Sequence, residues 1–263
     1  MTLLDDLLDD LKAEGDLLWT AVAGLDAGDR GGWATPTPAA GWTVATQIAH
    51  LLWTDEVAVI AATDEDAWDA VVLDAIADPT GYVDTHAHEI ARLAPEALLA
   101  RWGAARDALR LTLRDRPSGE RMPWFGPPMS PTSMATARFM ETWAHALDVY
   151  DALGIAPEPT DRIRHVAHLG VRTRDFAFSV HDLEPPAEEF RIDLIAPSGD
   201  QWSWGPQDAA QTVTGSAYDL CLLVTQRVHR DDTDLVATGA DAETWLTIAQ
   251  AFAGPAGEGR SKR

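Results

Sequence analysis

The sequence has a single cysteine, few basic residues and no long apolar run, and each scarcity excludes a class of protein. Cys221 alone cannot form an internal disulfide or a cysteine-based zinc cluster. Only 20 Lys and Arg residues stand against 42 Asp and Glu residues, and the resulting net charge of −22 argues against nucleic acid and anionic membranes as partners. No segment is long and apolar enough to predict a membrane span.

Several enzyme motifs are also absent, because the chain has no glycine-rich phosphate loop, nucleophile elbow or dinucleotide fingerprint. Residues 1–6 contain no basic leader or apolar run, so no signal peptide is predicted and we expect a cytoplasmic protein, monomeric or homodimeric. Cys221 lies in the apolar helical run 218–224, which favours a packing role over a nucleophilic one.

The first half of the chain predicts a helical bundle. Leucines recur at helical spacing through residues 2–25, and Thr43 is a suitable N-cap for a second helix that runs to about residue 63. Pro95 suits the first turn of a third helix over 95–115. A fourth helix over 132–153 ends at Gly154. Four long helices predict a four-helix bundle over residues 1–154.

The second half alternates between helical and extended patterns, which predicts a small α+β domain over residues 160–253. The predicted elements, in chain order, are a helix at 161–180, strands at 190–195, 201–204 and 211–214, a helix at 216–228, a strand at 235–237 and a helix at 241–252. The boundary falls in the Gly- and Pro-containing linker 154–159, and residues 254–263 are predicted to form a flexible tail. The fold class is therefore α+β, mainly helical.

The fourth helix carries the strongest functional signal. Glu141 and His145 are one helical turn apart and share a face, and His50 from the second helix adds another imidazole. Two imidazoles and one carboxylate can hold a divalent metal and leave positions open for water or substrate. A surface helix with a solvated charged stripe is the simpler interpretation, but the polar arc is unusually thin, so a buried helix whose charges need partners competes with it. The arc comprises Met134, Arg138, Glu141, His145 and Asp148.

Other polar residues give weaker signals. His50 is flanked by apolar residues, so it can equally be a hydrogen-bonded core histidine. His86 and His88 lie in an acidic, loop-like region and are poorly placed to chelate together. His165 and His168 are interpreted mainly as domain-interface residues. Glu56 is interpreted as a surface acid, and the less favoured hypothesis is that it hydrogen-bonds a metal ligand or acts as a base.

Three parts of the sequence resemble a known family. The sequence GWTVATQIAHL at 41–51 resembles the opening motif of the mycothiol-dependent maleylpyruvate isomerase family, a branch of the DinB-like metal-binding bundles. Glu141-x-x-x-His145-x-x-Asp148 is similar to the second motif of that family. Residues 222–227, followed by 235–239, resemble a stretch of the family's C-terminal α+β domain.

The resemblance implies a divalent metal, usually zinc, on His50, Glu141 and His145, with Asp148 as a neighbour. It also implies that Arg227 stands where the family places a second-domain arginine, although Gln226 replaces the usual glycine before it. We therefore expect Arg227 and Asp148 to take part in catalysis and mycothiol to be the cosubstrate.

The implied chemistry is thiol addition to a small electrophilic metabolite. A metal-coordinated thiol is deprotonated at neutral pH, and its adduct either expels the thiol, which is isomerisation, or keeps it, which is S-transfer. A guanidinium can bind a substrate carboxylate in bidentate fashion. Two alternatives stay open, namely a metal-stabilised, non-catalytic ligand-binding protein and a thiol-independent enzyme of secondary metabolism on the same scaffold.

Overall fold

The structure, a computed structural model, describes residues 2–257 and 259–262. It divides into two compact units between Pro157 and Glu158. The described residues form ten α-helices and one four-stranded sheet, with the sheet entirely in the second unit. The predicted α+β, mainly helical class is therefore confirmed.

Six helices make up the first unit: α1 (Leu3–Val22), α2 (Val44–Thr63), α3 (Glu65–Ala77), α4 (Tyr82–Ile90), α5 (Pro95–Asp115) and α6 (Pro131–Leu153). The four long ones form a bundle in which α2 packs on α5 and α6, and α1 packs on the same two helices. The main core lies between them and includes Leu18, Leu52, Trp102 and Ala146, one from each long helix. None of the helices in the described part of the chain is both long and apolar enough to cross a bilayer.

The ends of the long helices follow local sequence signals. The Thr43 hydroxyl accepts a hydrogen bond from the Thr46 backbone N–H at 3.4 Å, which caps α2 as predicted. Pro95 occupies the first turn of α5. Gly154 ends α6 in the left-handed conformation, with a φ of 68° that glycine adopts at little cost.

The segment between the second and third predicted helices corrects an expectation. His86 and His88 were expected in a loop-like region, but they lie on α4, which follows the additional helix α3. Both short helices pack on α2. Asp64 caps α3 by accepting from the Ala67 N–H at 3.0 Å, whereas α4 begins at Gly81 without a side-chain cap. The first unit is thus a four-helix bundle with two extra helices on one side.

The second unit holds α7 (Arg164–Arg172), α8 (Arg174–Val180), α9 (Ala217–Val224), α10 (Ala240–Ile248) and a sheet in the order β2-β1-β3-β4. The strands are β1 (Arg191–Ile195), β2 (Gln201–Trp204), β3 (Thr212–Ser216) and β4 (Val236–Thr238). Strand β1 pairs antiparallel with β2 and parallel with β3, and β3 pairs antiparallel with β4. All four predicted strands are present, within two residues of their predicted positions.

The helix predicted over 161–180 is divided at Thr173, which separates α7 from α8. The Thr173 hydroxyl donates to the carbonyl of Leu169 at 3.0 Å and is also 2.9 Å from the carbonyl of Gln250, so it competes with the helical backbone. The predicted tail 254–263 includes residues 258 and 263, which lie outside the described residues, and its flexibility stays a prediction.

Candidate metal centre

Three side chains predicted as ligands come together in the first unit. His50 projects from α2, and Glu141 and His145 project from α6. One ligand atom from each lies within 4.8 Å of the other two. Glu141 Oε2 is 3.3 Å from His50 Nε2 and 3.1 Å from His145 Nε2. The one-turn spacing of Glu141 and His145 therefore brings their side chains together, and the contact between α2 and α6 places His50 beside them.

The charge at this cluster belongs to Glu141. Burial on its own would raise the pKa of the Glu141 carboxyl, but hydrogen bonds from His145 and His50 lower it well below the ordinary value. The side chain keeps 23% of its exposure, against 9% for His50 and 14% for His145. The cluster therefore presents an ionised, partly accessible carboxylate between two nearly buried imidazoles.

The donor set fits a divalent metal. Two imidazole nitrogens and a carboxylate oxygen are common zinc ligands, and three protein ligands are typical of catalytic rather than structural sites. His50 Nδ1 is buried without a hydrogen-bond partner among the described residues, and the other ring nitrogen, Nε2, is the one that faces Glu141 in the cluster. Nothing in the described geometry opposes the use of His50 Nε2 as a ligand atom.

Residues of the loop before α2 and of α2 itself lie against the imidazoles, and no local sequence pattern indicates the role of Gln47. The indole of Trp42 lies 5.3 Å from the His50 ring and 5.8 Å from the His145 ring, centroid to centroid, and is nearly parallel to the second. Its Nε1–H donates to Asp84 of α4 at 3.0 Å. Gln47, fully buried on α2, places its Oε1 2.5 Å from His145 Nδ1.

Other candidates of the first unit lie outside the donor set. Asp148 is buried on α6, one turn beyond His145, and is not one of the three clustered ligands. Glu56 forms a bidentate ion pair with Arg101 at 2.7 Å, so its carboxylate is committed to α5, and the favoured interpretation of a surface acid agrees with this geometry. His86 stacks on Trp53 with ring centroids 5.1 Å apart.

Arg227 belongs to the second unit, just after α9. The preceding Gln226 has a φ of 59°, so it adopts the left-handed conformation in which the family's glycine would be unstrained. The backbone at position 226 therefore has the conformation that glycine favours, although the residue there is Gln226. The Arg227 Nη1 donates to the carbonyl of Thr225 at 2.5 Å. A catalytic role for Arg227 stays a prediction.

His165, His168 and Cys221 also lie in the second unit. The Trp204 Nε1–H donates to His168 Nδ1 at 3.2 Å, and burial, assisted by the charge of Arg172, lowers the pKa of His168. Cys221 is fully buried on α9 and its thiol contacts the carbonyl of Ile163 at 3.4 Å. Burial raises the pKa of the Cys221 thiol far above its ordinary value, so it stays protonated. The predicted packing role of Cys221 is confirmed.

Comparisons with known proteins agree with the resemblance. Residues 11–150 match the model of the mycothiol maleylpyruvate isomerase N-terminal domain. A shorter match, over residues 186–238, is to a model described as wyosine base formation. Two uncharacterized proteins of Mycobacterium tuberculosis, from strains CDC 1551 / Oshkosh and ATCC 25618 / H37Rv, are each 58% identical over 251 residues, which is 95% of this chain and 96% of the relative.

Solved structures support the fold. A crystal structure of the mycothiol-dependent maleylpyruvate isomerase and one of a point mutant of it superpose with TM-scores of 0.57 and 0.60, at 15% and 16% identity. Each comparison covers 90% of this chain and 93% of the other. The N-terminal match extends over more than half of the residues and includes α2 and most of α6. The chain belongs to the mycothiol maleylpyruvate isomerase family.

Proposed function

We propose that this protein is a metal-dependent enzyme that uses mycothiol to isomerise a small electrophilic metabolite or to transfer the thiol to it. The observation that carries the proposal is the convergence of His50, Glu141 and His145 within 4.8 Å, on the two helices of the bundle where the family motifs lie. Membership of the family supports the choice of thiol.

The three ligands would hold the ion, with His50 and His145 as neutral donors and Glu141 as the anionic one, and these donor types favour zinc. A bound divalent ion supplies Lewis acidity and lowers the pKa of a coordinated thiol. Glu141 is ionised before any ion arrives, because the lowered pKa of its carboxyl keeps it deprotonated at neutral pH. Metal binding therefore requires no deprotonation of Glu141.

The thiol has to come from outside the protein. Cys221 is the only cysteine, and its buried, protonated sulfur is unsuited to nucleophilic attack. A low-molecular-weight thiol is thus the natural nucleophile for a chain with this site. The same argument disfavours a covalent cysteine mechanism.

Mycothiol should bind the zinc-loaded protein, and this tests the proposal directly. At 100 times its Kd it is expected to raise the free energy of unfolding by about 2.7 kcal/mol, seen as heat in calorimetry and as a higher Tm. Protein with the His145→Ala substitution is the control and should show neither effect. If the loaded wild-type protein gives no heat and no stabilisation at millimolar mycothiol, thiol dependence is wrong.

We propose that Arg227 binds an acidic group of the electrophile and that Asp148, buried on α6 one turn beyond His145, takes part in catalysis as a neighbour of the metal ligands. Arg227→Lys keeps the charge but removes the planar pair of N–H donors, so bidentate pairing with a carboxylate is lost. We expect kcat/KM to fall by about 10-fold or more, the equivalent of 1.4 kcal/mol, while metal content stays unchanged. An unchanged kcat/KM for a carboxylate-bearing substrate would remove Arg227 from the proposal.

A further inference from the structure

Gln47 connects the loop before α2 to the candidate metal centre. Gln47 is fully buried on α2, three residues before His50. Its side chain nevertheless contacts the other histidine of the cluster, His145 on α6, which is 98 residues away in the chain. Its side-chain oxygen Oε1 lies 2.5 Å from His145 Nδ1, and its nitrogen Nε2 lies 2.9 Å from Thr37 Oγ1. Both ends of the amide are therefore engaged.

Thr37 determines which way the Gln47 amide points. The Thr37 hydroxyl donates its hydrogen to the carbonyl oxygen of Trp42 at 3.2 Å, so its oxygen is left to accept. Only the NH₂ end of the Gln47 amide can donate to it. The opposite end, Oε1, then faces His145 Nδ1. Because an amide oxygen only accepts hydrogen bonds, Nδ1 has to carry the hydrogen.

A hydrogen on His145 Nδ1 determines the state of the other ring nitrogen, Nε2. When Nδ1 carries the hydrogen of a neutral imidazole, Nε2 presents a lone pair. A ring protonated on both nitrogens donates from Nε2 to Glu141 Oε2 at 3.1 Å, and this hydrogen bond lowers the pKa of the carboxyl. The neutral ring with its hydrogen on Nδ1 instead turns a lone pair towards the same oxygen, which is also an acceptor. Two acceptors at this distance repel unless a cation lies between them. The arrangement is thus the one that a metal ligand requires.

We infer that Gln47 and Thr37 are positioning residues that hold His145 in the Nδ1–H tautomer, with Nε2 turned to Glu141 and the ion. The inference rests on the proposed function only for its purpose, since the tautomer is a property of the metal-free protein. His50 has no such support, because its Nδ1 has no partner in the described part of the chain. The pair therefore acts on one ligand of the three.

The test is the ¹⁵N spectrum of His145 in metal-free protein, recorded at about pH 9, well above the ordinary imidazole pKa of about 6.5. Wild-type protein should show the Nδ1–H tautomer. Gln47→Met keeps the length of the side chain but replaces the amide oxygen with a thioether, a much weaker acceptor, so the ring should turn to the Nε2–H tautomer and donate to Glu141. Gln47→Glu keeps an acceptor oxygen at Nδ1 and should retain the wild-type signal.

Thr37 supplies a second, milder pair of variants that does not alter the buried amide. Thr37→Val removes the acceptor that orients Gln47, so the amide can flip and the Nε2–H tautomer should gain population. Thr37→Ser keeps the hydroxyl and should leave the spectrum unchanged. A purely structural role for Thr37 would give the two variants the same tautomer, and that result would overturn the inference.

Zinc affinity gives a further readout that does not need an assay of activity. Competition with a chromophoric chelator should show Gln47→Met binding zinc about 10–100-fold more weakly than wild type, with Gln47→Glu close to wild type. If His145 has the same tautomer in wild-type and Gln47→Met protein, the inference is wrong whatever the metal does. If the tautomer changes as expected but no variant binds zinc, the inference stands and the proposed function fails.

Discussion

Protein purified without chelators is expected to carry about one divalent ion per chain, and either His50→Ala or His145→Ala should remove it. Each substitution deletes one of three converging donors and leaves the Glu141 carboxylate with a single imidazole. Removing a residue that hydrogen-bonds a metal ligand already lowers metal affinity about 10–100-fold, so removing the ligand itself should lower the affinity more. Elemental analysis of the purified variants measures the metal content per chain, for zinc first and also for nickel, manganese and iron.

A matched control comes from the same unit. His86 is a histidine of the first unit that stacks on Trp53 and lies outside the donor set, so His86→Ala should keep the full metal content. Circular dichroism should show that all three variants retain their helices. Full occupancy in the His50→Ala/His145→Ala double variant would mean that the ion binds elsewhere.

The parts of the site that could be predicted from sequence are those with short-range signals. Glu141 and His145 share a face because they are one turn apart on a single helix, and that helix has a proline at its first turn and a glycine at its end. The thin polar arc of α6 also favours a buried helix whose charges need partners. Arg138 fulfils this expectation, because it is 2% exposed and pairs with Asp55.

The parts of the fold and the site that could not be predicted from sequence depend mainly on contacts between distant segments. The Gln47–His145 contact joins residues 98 positions apart, and nothing in either local sequence indicates it. Helices α3 and α4 were missed for a different reason. The apolar residues of α3 lie on all sides of the helix instead of in one stripe, and α4 is only 9 residues long and begins without a side-chain cap. Packing against α2 stabilises them instead.

Arg138→Met is expected to destabilise the protein by about 3–5 kcal/mol, because it leaves the Asp55 carboxylate buried without its cation. Arg138 Nε donates to Asp55 Oδ1 at 2.9 Å, and both side chains are almost completely inaccessible. The pair joins α2 to α6 within a turn or two of His50 and Glu141, so its loss should also loosen the ligand cluster. Urea denaturation of metal-free protein measures the change without a contribution from bound ion.

The exposed Arg101–Glu56 pair supplies the matched control. It joins α5 to α2 with good geometry, but both partners reach solvent, so Arg101→Met should cost about 1 kcal/mol or less. Adding Asp55→Asn to Arg138→Met removes the stranded charge and should restore much of the lost stability. Equal costs for Arg138→Met and Arg101→Met would show that burial of the pair has no energetic consequence.

The cost of Arg138→Met should also depend on pH in a defined direction. Burial raises the pKa of Asp55 even though Arg138, and more weakly Arg106, lower it. Without Arg138 the pKa should rise further, so between the unfolded and folded pKa values the native state binds one proton more than the unfolded chain. Stability then falls as pH rises, by about 1.4 kcal/mol per pH unit across that interval. The variant should therefore be closer to wild type at pH 5 than at pH 8, and Asp55→Asn, which has no proton to exchange, should abolish the difference.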